Sequence, residues 1–138
     1  NKPVTFSEGV FDWPHMKELG EYLDFISVHS YPLHYGDTVD VAVELNKKHY
    51  RTVKELFPDK QILFTEVGWT TKTNSVMAPG QACVENQKRY ITELNEWLDQ
   101  DQIIGFIFEA FDEPWKGSTP EKSECNWGLY YLDRTKKW

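Results

Sequence analysis

Two short apolar segments end in carboxylates that lie beside a tryptophan. Residues 64–69 read FTEVGW and contain Glu66, and residues 106–116 read FIFEAFDEPWK and contain Glu109 and Glu113. Paired carboxylates cleave or transfer glycosidic bonds, because one acts as a nucleophile and the other donates a proton. An indole ring stacks on the apolar face of a pyranose. The pattern is therefore typical of chemistry on carbohydrates.

Glu66 has two interpretations when its position alone is considered. A single carboxylate after a strand can cap a helix or brace a loop. The residues that follow favour catalysis, because Gly68 permits a tight backbone turn and Trp69 offers a flat platform for a sugar ring. A tryptophan packed in the core is the alternative interpretation of Trp69.

Composition favours a single globular domain that binds a neutral ligand. The chain has 138 residues, of which 40% are hydrophobic and 15% aromatic, so it can build a core. Its formal net charge is −7, and its Lys and Arg residues are scattered, which argues against nucleic acid or an anionic membrane surface as partner. No apolar run approaches the roughly 18 residues that span a bilayer, so we expect no membrane segment.

The cysteines and histidines predict no metal site and no cofactor. Cys83 and Cys125 do not form a CxxC pair, and the four histidines have no zinc-ligand spacing. His29 stands out because it precedes a strand end, where it could bind sugar hydroxyls or be packed. Tyr31 and Tyr35 could likewise line a groove or fill the core.

Strand-like and helix-like segments alternate along the chain, which is the pattern of βα units around a parallel sheet. The runs of β-branched and aromatic residues predict strands at residues 3–7, 23–31, 61–66 and 103–108. Periodic apolar positions and proline signals predict helices at residues 14–22, 37–57 and 79–98. Residues 127–131 predict a further short strand or extended segment. Glu66 and Glu109 then follow strand ends, which is where parallel α/β folds bind ligands.

Four landmarks, in order, resemble family 17 of the glycoside hydrolases, the β-1,3-glucanase family. Residues 23–32 end in Tyr-Pro, like the sixth strand of that family. Residues 65–69 resemble its seventh-strand Glu-x-Gly-Trp signature, and residues 106–116 resemble its eighth strand. Residues 126–130 read NWGLY and resemble the Asn-Trp-Gly-Leu segment that follows. The resemblance covers nearly the whole chain.

The resemblance implies an α/β fold that is half of a (β/α)8 TIM barrel. Residues 1–138 then form a single half-barrel domain that corresponds to strands five to eight. It also implies a relative of the retaining β-1,3-glucanases, which acts on a β-glucan or an oligosaccharide. An extracellular or periplasmic location would suit such a protein. Thr70 stands where the family usually has proline.

The resemblance also implies a role for individual residues of the predicted sugar-binding site. The resemblance gives Glu66 the role of nucleophile, and it gives Glu113 and Lys116 hydrogen bonds to glucose. The remaining predicted substrate-binding residues are Tyr31, Trp69, Glu109 and Trp115.

The acid/base residue of the family is not found in the sequence. In the family this glutamate follows an asparagine on the fourth strand, whereas the Asn95-Glu96 pair of this chain lies in a predicted helix. We therefore expect the usual acid/base half to be absent and the activity of this chain alone to be weak or lost. Open sheet edges favour association, so we expect a homodimer that closes the barrel and brings Glu109 or Glu113 of one chain opposite Glu66 of the other.

Two other functions are weighed against the enzyme. One is a catalytically inactive half-barrel fragment or carbohydrate-binding relic. The other is a flavodoxin-like binding module, which is disfavoured because no glycine-rich phosphate loop follows the first strand.

Overall fold

The computed structural model describes residues 2–138, which form one parallel sheet with helices between the strands. The strands lie in the order β1-β2-β3-β4, and their bounds are Ser7–Gly9 (β1), Phe25–Ser30 (β2), Gln61–Val67 (β3) and Gly105–Ile107 (β4). The helices are Lys17–Glu21 (α1), Val39–Leu56 (α2) and Val84–Gln100 (α3). Short 3₁₀ turns cover Trp13–Met16, Pro32–Tyr35, Pro114–Lys116 and Ser123–Cys125. The predicted alternation of strands and helices is confirmed.

One face of the sheet is packed against the helices, and the other is open. Ile26 and Val28 of β2 and Phe64 of β3 are fully buried on the helix side. In β4 the residues alternate: a Cβ on Gly105 would lie 2.6 Å from a methyl group of Leu98 in α3. The next residue, Phe106, points away and is 57% exposed. The sheet therefore presents an apolar side chain on the face that would line the interior of a closed barrel.

An irregularity between β2 and β3 positions the acid. Val28 pairs with Phe64, but the next residue, His29, pairs with Glu66, so that Thr65 is the extra residue. Such a bulge re-aims the side chains that follow it. Glu66 consequently lies beside the end of β2.

The two long helices follow the predicted periodicity. In α2 the buried positions recur every three or four residues, which places them on one face; they are Val39, Ala42, Asn46, His49 and Val53. In α3 the Sγ atom of Cys83 accepts a hydrogen bond from the Asn86 amide at 3.5 Å and caps the first turn. Among residues 2–138 no helix combines the length and the apolar character that crossing a bilayer requires.

Two predicted elements begin at other residues than expected. The first strand lies at Ser7–Gly9, not at residues 3–7, because Val4 instead exchanges hydrogen bonds with Asp24 at 2.6 and 2.9 Å. Helix α3 begins at Val84 and not at residue 79, because the preceding loop is held open by contacts of Gln81. Residues 127–131, predicted as a short strand or extended segment, form no named strand but run alongside residues 109–112, with backbone hydrogen bonds and an isolated bridge between Phe111 and Tyr130.

Candidate active site

Glu66 lies at the end of β3 with two partners from the end of β2. The Tyr31 hydroxyl donates a hydrogen bond to Glu66 Oε2 over 2.6 Å. His29 Nδ1 lies 3.4 Å from the same oxygen. The Glu66 side chain keeps 35% of its surface exposed, so a ligand can reach the carboxylate. The sequence marked all three positions, but it gave no sign that Tyr31 contacts the acid itself.

Tyr31 is held by aromatic rings. Its ring centroid lies 5.0 Å from that of Trp127, 6.0 Å from Phe108 and 5.7 Å from His34, each in an edge-to-face arrangement. Burial raises the pKa of the Tyr31 phenol, and the hydrogen bond and negative charge of Glu66 raise it further. The phenol therefore stays protonated and remains a donor to the acid.

Trp127 is the buried residue against which this cluster packs. It is 1% exposed, and His34 stacks on it with ring centroids 5.1 Å apart and planes at 24°. Gln87 Nε2 donates to the Trp127 carbonyl over 3.2 Å, which fixes its backbone from α3. Burial lowers the pKa of His34. Neither Trp127 nor His34 was predicted as a site residue; only the resemblance of the NWGLY segment pointed to Trp127.

A second cluster of charges follows β4. Lys116 Nζ donates to Glu109 Oε2 over 2.8 Å and also pairs with Glu113. The Glu109 side chain is only 15% exposed, and its Oε1 atom has no hydrogen-bond partner among the residues described. Burial raises the pKa of Glu109, whereas the hydrogen bond from Lys116 lowers the pKa of Glu113. The pKa values of these two neighbouring carboxyls are thus shifted in opposite directions.

The two clusters are linked through Tyr31 and Phe108. Both the Glu66 and the Glu109 carboxylates raise the pKa of Tyr31, which lies within the field of each. Lys116 Nζ lies 4.4 Å from the centre of the Phe108 ring, and this ring also contacts Tyr31. The aromatic cluster therefore connects the end of β3 to the segment after β4.

The two predicted sugar-stacking tryptophans differ in exposure. Trp115 lies on a 3₁₀ turn with 70% of its surface exposed, so its ring can meet a ligand. Trp69 is fully buried, its Nε1 donates to the Gln81 carbonyl over 3.0 Å, and its ring centroid lies 5.1 Å from that of Tyr90. A sugar cannot stack on Trp69, so its predicted binding role is wrong, and the core interpretation holds.

Gly68 is required by close packing. A Cβ atom at Gly68 would lie 2.1 Å from the Phe108 carbonyl oxygen, which belongs to the backbone. Only glycine lets the end of β3 approach the segment after β4 this closely. Thr70, which stands where proline is usual in the family resembled, donates its hydroxyl to the Ser123 carbonyl over 2.9 Å.

A buried ion pair, which the sequence did not reveal, supports the same edge. Lys137 Nζ donates to Asp112 Oδ1 over 2.8 Å and to Thr71 Oγ1 over 3.0 Å. The Gly128 amide donates to Asp112 Oδ1 over 3.0 Å. Burial lowers the pKa of Lys137, and Asp112 opposes that shift. The pair ties the last residues of the chain to the loops after β3 and β4.

In the described part of the chain, no group of three or more His, Cys, Asp or Glu residues could hold a metal ion. Cys83 and Cys125 are both free thiols.

Residues 1–128 match the family described as the BtgE/BtgC glycoside hydrolase domain. The chain belongs to this family. The chain is 33% identical over 144 residues to a putative glucan endo-1,3-beta-glucosidase of Aspergillus niger, with 92% of this chain and 21% of that protein covered. A probable glucan endo-1,3-beta-glucosidase of Aspergillus terreus is 28% identical, with 94% and 22% covered.

A solved structure gives the architectural context of this chain. The crystal structure of the family 17 beta-1,3-glucanosyltransferase from Rhizomucor miehei matches with a TM-score of 0.86 and 27% identity, covering 97% of this chain and 48% of that one. The chain thus spans about a fifth of the curated relatives and about half of the solved transferase. The predictions of half a TIM barrel and of a glycoside hydrolase related to β-1,3-glucanases are confirmed.

Proposed function

We propose that this chain carries the nucleophile side of an active site for β-1,3-glucans, with Glu66 as the nucleophile. The observation that carries the proposal is the Glu66 carboxylate at a strand end, with Oε2 held by Tyr31 at 2.6 Å and approached by His29 at 3.4 Å. Within residues 2–138 both contacts fall on Oε2, so Oε1 can approach an anomeric carbon. Attack forms a glycosyl ester and breaks the glycosidic bond, and water or another sugar then releases the ester.

The segment after β4 is proposed to bind the sugar. Lys116 offers N–H donors to hydroxyl groups, and Glu113 is a carboxylate acceptor beside it. Trp115, with its exposed ring, can stack on a pyranose face. The names of the fungal relatives support β-1,3-glucan as the polymer, and so does the complex of an active-site mutant of the Rhizomucor miehei transferase with laminaritriose.

The leaving group needs a proton, and we propose that a second copy of this chain supplies it. Retaining chemistry places the two carboxyls about 5 to 5.5 Å apart, and general acid catalysis contributes roughly 10² to 10⁴ in rate. In an eight-stranded barrel made of two copies, β4 of one copy would lie next to β1 of the other. We assign Glu109 rather than Glu113 as the donor, because burial raises the pKa of Glu109 and Lys116 lowers that of Glu113.

A carbohydrate-binding half-barrel without catalysis is the second candidate. It is favoured by the exposed Trp115 ring next to Lys116, because these two groups can hold a sugar even if no donor faces Glu66. An extracellular location is proposed for either function. It is supported by a cell surface mannoprotein of Candida albicans, which is 26% identical with 82% of this chain and 29% of that protein covered.

The release of reducing sugar from laminarin by wild type and by Glu66→Gln separates these two candidates. We expect Glu66→Gln to lose the activity, because the amide cannot form the glycosyl ester. Glu55→Gln, an exposed glutamate on α2, makes the same charge change and should leave the rate unchanged. The molecular mass of each protein in solution is measured alongside. Equal rates for wild type and Glu66→Gln would contradict catalysis by Glu66.

A further inference from the structure

A chain of buried hydrogen bonds lies behind the strand end that carries Tyr31. The Tyr90 hydroxyl donates to Asn46 Oδ1 over 2.9 Å, and Asn46 Nδ2 donates to Ser30 Oγ over 2.8 Å. Ser30 Oγ lies 2.8 Å from His49 Nδ1. Ser30, Asn46 and Tyr90 have no exposed surface, and His49 has 5%. These hydrogen bonds form a network that joins β2 to α2 and α3.

The three hydrogen bonds can all run in one direction, with each residue from Tyr90 to Ser30 donating to the next. Because Asn46 donates to Ser30 Oγ, the hydroxyl hydrogen of Ser30 is available for His49 Nδ1. In the tautomer that accepts this hydrogen at Nδ1, the ring proton of His49 lies on Nε2. A buried network of hydrogen bonds favours one arrangement of its members.

The network meets the active site at Ser30. This residue lies between His29 and Tyr31, and both of these contact Glu66 Oε2. Side chains alternate along the strand, so Ser30 points towards the helices while His29 points to the opposite face. The β2–β3 pairing shifts between Val28 and His29, just before these residues, so bonds from Ser30 add anchorage where the ladder is irregular.

We propose that Ser30, Asn46 and His49 are positioning residues, which fix the end of β2 so that Tyr31 and His29 meet the Glu66 carboxylate. The structural consequence of this network is the placement of Tyr31. Its kinetic consequence rests on the proposed function of Glu66.

The residues around His49 predict that the network is disrupted at low pH. Lys48, on the same helix, is the charged neighbour, and Phe11, after β1, contacts the ring at 5.5 Å. Tyr35 contacts it at 6.0 Å, and burial and the charge of Asp12 raise the pKa of that phenol, so it stays neutral. Protonation of His49 would turn Nδ1 into a donor and reverse the last bond of the chain.

The test follows the ¹³Cζ resonance of Tyr31 by NMR at neutral pH, with Tyr31→Phe to assign it. Ser30→Ala removes the link and should shift the resonance. Ser27→Ala is the matched control, because Ser27 is equally buried on the same strand but bonds to Thr5 at 2.9 Å on the other face. An unmoved resonance in Ser30→Ala, or an equal shift in Ser27→Ala, would overturn the proposal.

A second pair of variants keeps the proposal falsifiable if Ser30→Ala does not fold. In His49→Asn the amide oxygen can stand near the position of Nδ1, so the resonance should return towards wild type. His49→Leu has no acceptor and should show the shift. Equal spectra for these two variants would contradict positioning through His49.

Kinetics separate this proposal from that of the nucleophile. With laminarin, Ser30→Ala should lower kcat about 10-fold or more and change KM little, because misplaced groups slow the chemical step. If Glu66→Gln proves as active as wild type, the proposed function fails, whereas the Tyr31 resonance still decides whether the network positions Tyr31.

Discussion

At the scale of single residues, the carboxylate and the phenol that holds it form the centre of the site. A hydrogen bond to a charged acceptor is worth about 1.5 to 3 kcal/mol, more than one between neutral groups. The 2.6 Å bond from Tyr31 to Glu66 is of this kind, and aromatic rings surround the phenol that donates it. Glu66 is thereby held in one orientation before any sugar arrives.

Tyr31→Phe removes this bond and keeps the ring. We expect kcat on laminarin to fall about 10-fold or more, because the lost charge-assisted bond no longer orients the Glu66 carboxylate, the proposed nucleophile. Tyr22→Phe is the control, because Tyr22 is 83% exposed and precedes β2 at its opposite end. A rate for Tyr31→Phe within twofold of the Tyr22→Phe rate would show that the phenol does not contribute.

Sequence patterns predicted the acids at the strand ends but not the contacts between side chains. The position of Glu66 could be predicted because it lies at the end of the apolar and β-branched run that forms β3. Trp69 was misassigned because exposure depends on which way the chain turns after Gly68, and the contact with Phe108 decides that turn. The Ser30 network joins residues 60 positions apart in sequence, and no local pattern reports such pairs.

At the scale of secondary structure elements, buried polar pairs hold the loops of the site in place. Asp112 and Lys137 connect the segment after β4 to the last residues of the chain, and Thr71 extends the link to the loop after β3. Breaking a buried pair is costly because the remaining charge has no partner.

Lys137→Met should therefore lower the free energy of unfolding by about 3 kcal/mol. Lys136→Met is the matched control, since Lys136 is the exposed neighbour, and it should change stability by less than about 0.5 kcal/mol. Urea unfolding measures both. Adding Asp112→Asn to Lys137→Met should recover part of the loss, and a larger loss in the double variant would argue against the ion pair.

The hydrogen bond between His49 of α2 and Ser30 of β2 should make the free energy of unfolding depend on pH. Burial, reinforced by Lys48, lowers the pKa of His49 from 6.5 to about 4. Below pH 6.5 the unfolded chain therefore takes up a proton that the folded chain refuses until pH is near 4. The contribution of His49 is complete above pH 6.5 and is lost as pH falls towards 4.

Urea unfolding at pH 7 and at pH 4.5 tests this sign. Wild type should lose stability at the lower pH, by about 1 to 2 kcal/mol from His49 after allowance for solvent screening. His49→Asn should lose less. His15→Gln, at an exposed position, should behave as wild type does. Burial also lowers the pKa of His34, but all three proteins contain His34, so its effect is the same in each. Equal acid losses in wild type and His49→Asn would rule out the effect.

At the scale of the whole molecule, the four-stranded sheet has two edges that pair with no other strand among the residues described. These edges are β1 and β4. Phe106 leaves an apolar surface on the face that a barrel would enclose. The alternation of strands and helices predicted this architecture, whereas the occupant of the open face depends on contacts between molecules, which no periodicity encodes.

A homodimer should show twice the 16.3 kDa mass of one chain by light scattering. If each site takes Glu66 from one copy and Glu109 from the other, Glu66→Gln and Glu109→Gln should each be inactive alone. After they are unfolded and refolded together in equal amounts, about a quarter of the wild-type activity should return, since half of the dimers are mixed and one of their two sites is intact. A monomeric mass, or no recovery, would contradict the shared site.

The most direct test of Glu66 as nucleophile is covalent trapping with a 2-deoxy-2-fluoro-laminaribiosyl fluoride. Fluoride leaves without a proton donor, so the result does not depend on which group supplies the acid. We predict that the peptide containing Glu66 gains the mass of one fluorinated disaccharide unit, and that Glu66→Gln gains none. Label on another carboxylate, or no label on a folded chain that binds the sugar, would contradict the assignment of Glu66.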